Sequence, residues 1–165
     1  MFCLVAVGGG AQELSPRAYW PAPKGTKVAV VGYQYSSGDV VTDPSLPVLG
    51  VDSGIHSSYV AYLQTLNLWG RTANLLLELP YSWGTTLGTL DGEPARSDFS
   101  GFADLGVTLS VNFPGARTMT PADFQEMRRK PRTILGATLK VLAPTGSYDP
   151  EKLINVSGNR WAVKA

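Results

Sequence analysis

Between Thr72 and Phe113 apolar side chains recur at every second position over two long stretches, and this alternation restricts the possible folds more than any other feature. Ala73, Leu75, Leu77, Leu79, Tyr81 and Trp83 form one row, opposed by Asn74, Leu76, Glu78, Pro80, Ser82 and Gly84. Ala103, Leu105, Val107, Leu109, Val111 and Phe113 form the next, opposed by Asp104, Gly106, Thr108, Ser110 and Asn112. Side chains that alternate with a period of two belong to strands. Each stretch runs about 11 to 13 residues. That is twice the usual strand of about 5 to 6 and matches the roughly 9 to 11 tilted residues that cross a bilayer.

Composition agrees with a chain that has lipid on one side. Charged residues make up 16% of the 165, against about 25% in a typical soluble domain. No apolar run approaches the ~18 residues of a membrane helix, so a helical membrane protein is excluded. A net charge of +1 gives no reason to expect nucleic acid as a partner. The single cysteine, Cys3, excludes an internal disulfide framework and a cysteine metal site. Residues 1–11 read as the remnant of a secretory signal, with apolar Phe2 to Val7 followed by small Gly8, Gly9, Gly10 and Ala11. Residues 12–165 then form one domain.

Six strands are expected along it. Thr26 to Ser36 is the first, Ser57 to Leu68 the second, and the stretches described above supply the third and fourth. Thr133 to Ala143 is the fifth, and Arg160 to Ala165 opens the sixth. Trp69, Gly70 and Arg71 make a tight reversal between the second and third. Ser37 to Ile55, Gly84 to Ser100 and Pro144 to Gly158 read as long loops. Thr120 and Pro121 open a short helix that Arg128, Arg129 and Lys130 end before Pro131. Long and short connections thus alternate, as in outer-membrane barrels with short periplasmic turns and longer outer loops. The expected fold is all-β: an antiparallel up-and-down transmembrane β-barrel with the helix in a periplasmic turn. Six strands are fewer than the eight of the smallest such barrels, so an N-terminal part of a longer barrel is expected.

The placement of charge separates this reading from a soluble barrel or sandwich. The apolar rows of strands three to six carry no ionisable group, while Glu78, Asp104, Lys140, Arg160 and Lys164 fall on the opposite rows. A Lys or Arg facing lipid at the midplane costs roughly 2 to 4 kcal/mol, so these five are candidates for lining a lumen. Tyr33, Tyr35, Tyr81, Trp83, Phe113 and Trp161 lie near expected strand ends on the apolar side and are candidates for an aromatic girdle. Pro80, which has no N–H for a ladder bond, calls for a bulge. The facing of the second strand stays open.

Several short motifs carry a family resemblance. Gln12-Glu-Leu-Ser-Pro-Arg-Ala-Tyr19, Leu66-Asn-Leu-Trp-Gly-Arg-Thr-Ala-Asn74, Glu78-Leu-Pro-Tyr81, Ala143-Pro-Thr-Gly-Ser-Tyr-Asp-Pro150 and Asn159-Arg-Trp161 resemble the outer-membrane family named for the meta-pathway of phenol degradation, usually labelled transporter. The resemblance implies a closed barrel of about a dozen strands in the bacterial outer membrane, passing small hydrophobic or aromatic molecules. It supplies no catalytic residue and no cofactor.

Other chemistry is weaker. His56 beside Ser57 and Ser58 raises a barrel lipase, but neighbours in a strand point to opposite faces. Asp39, Asp43, Asp52, Asp91, Asp98 and Asp149 lack the spacing of a calcium loop and read as solvated loop residues, so no metal is expected. The functional expectation is a passive channel for small solutes, with outer-membrane lipid and the solute as partners. The alternative is a non-conducting structural or ligand-binding barrel, and a hydrolase is third.

Overall fold

The structure, a computed structural model, describes residues 21–40, 48–90, 93–113, 117–131, 133–152 and 154–165. The signal remnant at residues 1–11 and the two acidic residues Asp43 and Asp91 lie outside the described residues.

In chain order the elements are β1 (Lys27–Val40), β2 (Val48–Leu68), β3 (Arg71–Leu90), β4 (Glu93–Phe102), β5 (Leu105–Asn112), α1 (Pro121–Arg129), β6 (Gly136–Ala143) and β7 (Ala162–Lys164). They form one antiparallel sheet in the order β1-β2-β3-β5-β6-β7, with β4 beside the far half of β3. No helix among the described residues is long and apolar enough to cross a membrane.

The tight reversal is where the sequence put it. Leu68 and Arg71 are the closing pair, and both turn residues take positive φ, 50° at Trp69 and 77° at Gly70. That is the mirror-image turn whose twist matches a hairpin. Asn67 Oδ1 accepts the Gly70 N–H at 2.8 Å, which satisfies a donor the turn would otherwise leave open.

Two of the three expected long loops are instead strand over their described residues. β1 continues to Val40 and β2 begins at Val48, while β3 runs to Leu90 and β4 starts at Glu93. Gly, Asp and Ser are poor strand formers, and their density made these stretches read as loops. Their described residues are nonetheless paired with neighbouring strands, with one irregularity between Leu49 and Asp52, so the ladder outweighs local preference. Side chains add to it: the Ser53 and Thr86 hydroxyls meet at 2.9 Å across the β2–β3 ribbon. At 21 and 20 residues, β2 and β3 extend well past the span of a bilayer.

β4 and β5 are one line interrupted opposite Pro80. Tyr81 pairs with Phe102 on one side of the break and Glu78 with Gly106 on the other, which leaves one extra residue at Ala103–Asp104. The Ala103 N–H donates to the Pro80 carbonyl at 2.9 Å, and Pro80 has no N–H to return. A bulge therefore absorbs the missing donor, as expected. Counting β4 and β5 as one line, six lines cross the sheet.

The helix caps as read. Thr120 accepts the Asp123 N–H and Asp123 accepts the Thr120 N–H, a reciprocal capping box with Pro121 behind it. Met127 and Met119 are buried against Phe124 and Ile134. Three backbone bonds hold this cluster at the β2–β3 turn: Thr118 N–H to Gly70 O, Lys24 N–H to Met119 O and Gly25 N–H to Thr65 O, each 3.0 Å. β6 starts at Gly136 rather than Thr133, and β7 covers only Ala162 to Lys164. Arg160 and Trp161 thus lie just before the last strand.

Candidate functional site

Register fixes which residues share a face. In β3 the odd positions Leu75, Leu77, Leu79, Tyr81 and Trp83 are joined by the even positions Gln64, Tyr62, Val60, Ser58 and His56 of β2. The pairing carries on to Ala29, Val31, Tyr33 and Tyr35 of β1. In the other direction it runs through Val107, Leu109 and Val111 of β5, then Ala137, Leu139 and Val141 of β6, to Val163 of β7. No Asp, Glu, Lys or Arg stands at these positions, and Lys27, the partner of Gln64, adds a charge only where β1 begins. Its side chains are open to the surroundings: Val31 is 78% exposed, Val60 55% and Val163 68%. The facing of β2, open in the sequence, is decided by its partners.

The opposite face is divided. Toward β1 and β2 it is apolar, with Val28 opposite Leu63, Val30 opposite Ala61, and Leu76 next to Leu63. Toward β3, β5 and β6 it is polar. Ser110 meets Thr138 at 2.9 Å, and Thr65 donates to Asn74 Oδ1 at 2.9 Å. In its middle, Lys140 Nζ lies 3.2 Å from Glu78 Oε2, each side chain about one-third exposed. The pair reaches across β5, where Gly106, the partner of Glu78, has no side chain to block it. Lys164 is the cross-strand partner of Lys140.

Of the five charged candidates, Glu78, Lys140 and Lys164 therefore share one face in register. Arg160 precedes the strand that was to carry it and is exposed. Asp104 sits in the bulge, and its carboxylate is committed to the backbone and side chains of the Pro144–Gly158 loop: the Gly146 N–H donates to it at 3.1 Å and the Ser157 hydroxyl at 2.6 Å.

Four of the aromatic candidates form a belt on the apolar face. Tyr33 and Trp83 lie 6.2 Å apart and Tyr81 and Trp83 5.9 Å, while Tyr35 lies 4.7 Å from the His56 ring. Two members were missed. His56 stacks on Trp83 at 5.3 Å with an interplanar angle of 9°, and its Nδ1 is 2.6 Å from the Tyr33 hydroxyl. It is a residue of β2, not of a loop end. Phe102 packs edge-on against Tyr81 at 5.1 Å. It was hidden because the bulge shifts the phase: even positions of β4 join the odd positions of β5. Tyr33, Tyr35, Tyr81 and Trp83 are also not at strand ends, since β1 and β3 continue beyond them. Trp161 stands close to the level of Leu142 in β6, while Phe113 follows β5 at the opposite end of the sheet. About ten residues separate the Phe113 level from the Tyr81 level, the length that crosses a bilayer.

Beyond the belt, Arg96 and Asp98 form a 3.0 Å ion pair on the exposed β3–β4 ribbon. The hydrogen bond from Arg96, with one from Thr85, holds the Asp98 carboxyl below its ordinary range. A Ser57–His56 pair does not form: Ser57 points away from His56 and shares a 2.8 Å hydrogen bond with Ser82, while His56 Nδ1, on the face it shares with Ser58, meets the Tyr33 hydroxyl. Among the described residues no three His, Cys, Asp or Glu side chains are grouped to hold a metal.

An antiparallel sheet with a mainly apolar face, an aromatic belt on that face and a Glu–Lys pair on the other has the character of a bacterial outer-membrane β-barrel. The chain belongs to the family described as "Putative MetA-pathway of phenol degradation", whose profile matches residues 48–165. It is similar to the crystal structure of an outer membrane channel from Pseudomonas putida F1, with 26% identity over 92% of this chain and a TM-score of 0.60. The alignment takes in 51% of that channel, so the chain spans about half its length. No curated protein matches the chain.

Proposed function

We propose that this chain forms part of the wall of a passive outer-membrane channel for small solutes, with its apolar face toward lipid and its divided face toward the lumen. The carrying observation is the segregation of charge: Glu78, Lys140 and Lys164 share one face, while on the other the described charges are Lys27 at the start of β1, Arg71 at the β2–β3 turn, and Asp52, Arg96 and Asp98 beyond the belt. Tyr33, Tyr35, Tyr81, Trp83, Phe102 and Trp161 would then form the girdle at one interface and Phe113 mark the other. Two sheet edges cannot face lipid unpaired, so β1 and β7 are joined by strands beyond the seven described.

The divided face favours solutes that are themselves amphipathic. Val28, Val30, Ala61 and Leu63 offer an apolar wall to a small hydrocarbon or aromatic body, and the Glu78–Lys140 row offers charge to a polar substituent. Planar-bilayer recordings of the complete protein test the reading. Discrete current steps are expected, and a folded, inserted protein that passes no current would refute it. Exchange of Glu78 for Gln, which leaves Lys140 and Lys164 without that counter-charge, is expected to move the reversal potential toward anion selectivity. An unmoved potential would take these residues out of the permeation path.

A further inference from the structure

The third long connection, Pro144 to Gly158, does not extend away from the sheet. At Pro144, which has no N–H, the Thr145 N–H turns back to the Ala143 carbonyl at 2.7 Å and takes the chain out of the β6 ladder. Gly146 then enters a space where a Cβ would stand 2.7 Å from the Phe102 carbonyl and 2.7 Å from Ser157 Cβ. Ser147 comes to rest over Gly101, so close that a Cβ on Gly101 would overlap its side chain at 2.4 Å. Gly101 is the partner of Ser82 and shares the face of Glu78. The loop therefore lies over the divided face, at the level of Ser82, four residues along β3 from Glu78.

One side chain holds it there. Asp104 Oδ1 accepts the Gly146 N–H and the Ser157 hydroxyl, which are 11 positions apart in the loop. The same Ser157 hydroxyl accepts the Asn159 N–H at 3.0 Å, and Leu105 N–H donates to Thr145 Oγ1 at 3.0 Å. Ser147 N–H to Phe102 O and Ser157 N–H to Ser147 O close the base. The far part is closed by Asn155, which accepts from Asp149 N–H at 2.7 Å and donates to the Asp149 and Lys152 carbonyls. A loop tied at its base and cross-braced at its tip is a fixed object.

We propose that this loop is a built-in constriction of the pore and that Asp104 is the positioning residue that keeps it in the lumen. The inference rests on the channel reading above and goes beyond it by assigning the narrowing to one loop and its hold to one carboxylate. The bulge opposite Pro80 has a purpose here. By adding a residue to the β4–β5 line it sets Asp104 where the ladder is interrupted and its carboxylate can reach the loop instead of a cross-strand partner. The loop also carries Asp149, Glu151 and Lys152, of which Glu151 and Lys152 are exposed.

The test is made on the complete protein in planar bilayers and in liposomes. Replacing Asp104 by Ala is expected to raise unitary conductance by about twofold or more, to add open-channel noise, and to admit larger sugars in liposome swelling. Ser157→Ala removes one donor and keeps the Gly146 bond, so it gives a smaller change of the same sign in a barrel that still folds. Asp104→Glu restores the carboxylate and part of the wild-type conductance. A Ser147→Cys variant is expected to lose current when treated with a bulky charged thiol reagent, with wild type as the control for Cys3. Hydrogen exchange supplies a readout independent of current: the Gly146 and Ser147 amides are protected in wild type and released in Asp104→Ala.

If wild type conducts while Asp104→Ala and Ser157→Ala keep its conductance and sugar cut-off, the constriction is refuted and the channel stands. If wild type is silent although the two amides are protected and then released by Asp104→Ala, the channel reading fails and the constriction fails with it.

Discussion

Single residues set the sharpest expectations because each face tolerates different chemistry. Leu109 lies in the middle of the apolar face, paired with Leu75 and Leu139. Its exchange for Arg is expected to destabilise the folded barrel by roughly 2 to 4 kcal/mol, read from urea refolding into lipid vesicles. A soluble sheet with this face in water would show almost no loss. Gly32 matters for a different reason: a Cβ there would sit 2.2 Å from the end of the Tyr59 ring, which lies across it and would have to move. Gly32→Ala is expected to displace the tyrosine, visible as changed Tyr fluorescence or NMR shifts, at a stability cost below the ~1 kcal/mol of core overpacking because the exposed ring can swing away. At the Arg96–Asp98 pair the shift on the carboxyl is downward. Its contribution is thus present above the ordinary carboxylate range and lost as pH falls through the depressed value. Because both groups are exposed, Asp98→Asn should leave the unfolding temperature at neutral pH unchanged. Sequence placed Glu78, Lys140 and Lys164 on one face because alternation alone dictates it. It could not give Asp104 its loop partners, which lie 42 and 53 positions away in the chain.

At the level of elements, local rules succeeded where the determining contacts are local. The Trp69–Gly70 turn and the Thr120 cap are written within a few residues, and both formed as read. Thr120→Ala removes the side-chain acceptor of the Asp123 N–H, and a loss of about 1 kcal/mol is expected in the same refolding assay. Local rules failed where a ladder overrules composition. Gly84 to Leu90 and Glu93 to Ser100 looked like loop because of Gly84 and Gly88 in the first and Glu93, Pro94, Arg96 and Asp98 in the second, but pairing with each other makes them strand. The bulge shows both sides of this. Pro80 announced it, yet the phase shift that brings Phe102 beside Tyr81 is a property of two strands in register and is not contained in either.

For the whole molecule the governing fact is that backbone polar groups in lipid need partners, which only a closed ladder supplies to strands. The complete protein is therefore expected to be heat-modifiable, migrating faster unboiled than boiled in detergent electrophoresis; identical migration would speak against a closed barrel. The membership of an outer-membrane family and the likeness to a channel of about twice this length agree with that requirement. What the sequence determined unaided was the class: alternation, strand length and the exclusion of charge from one row are one-dimensional properties, and the bilayer enforces them position by position. The tertiary structure decided how the rows meet. It chose the face of β2, turned two supposed loops into ribbon, let Lys140 reach Glu78 across Gly106, and laid the Pro144–Gly158 loop on Asp104. Each depends on register and on contacts between residues far apart in the chain, and these exist only once neighbouring strands have paired.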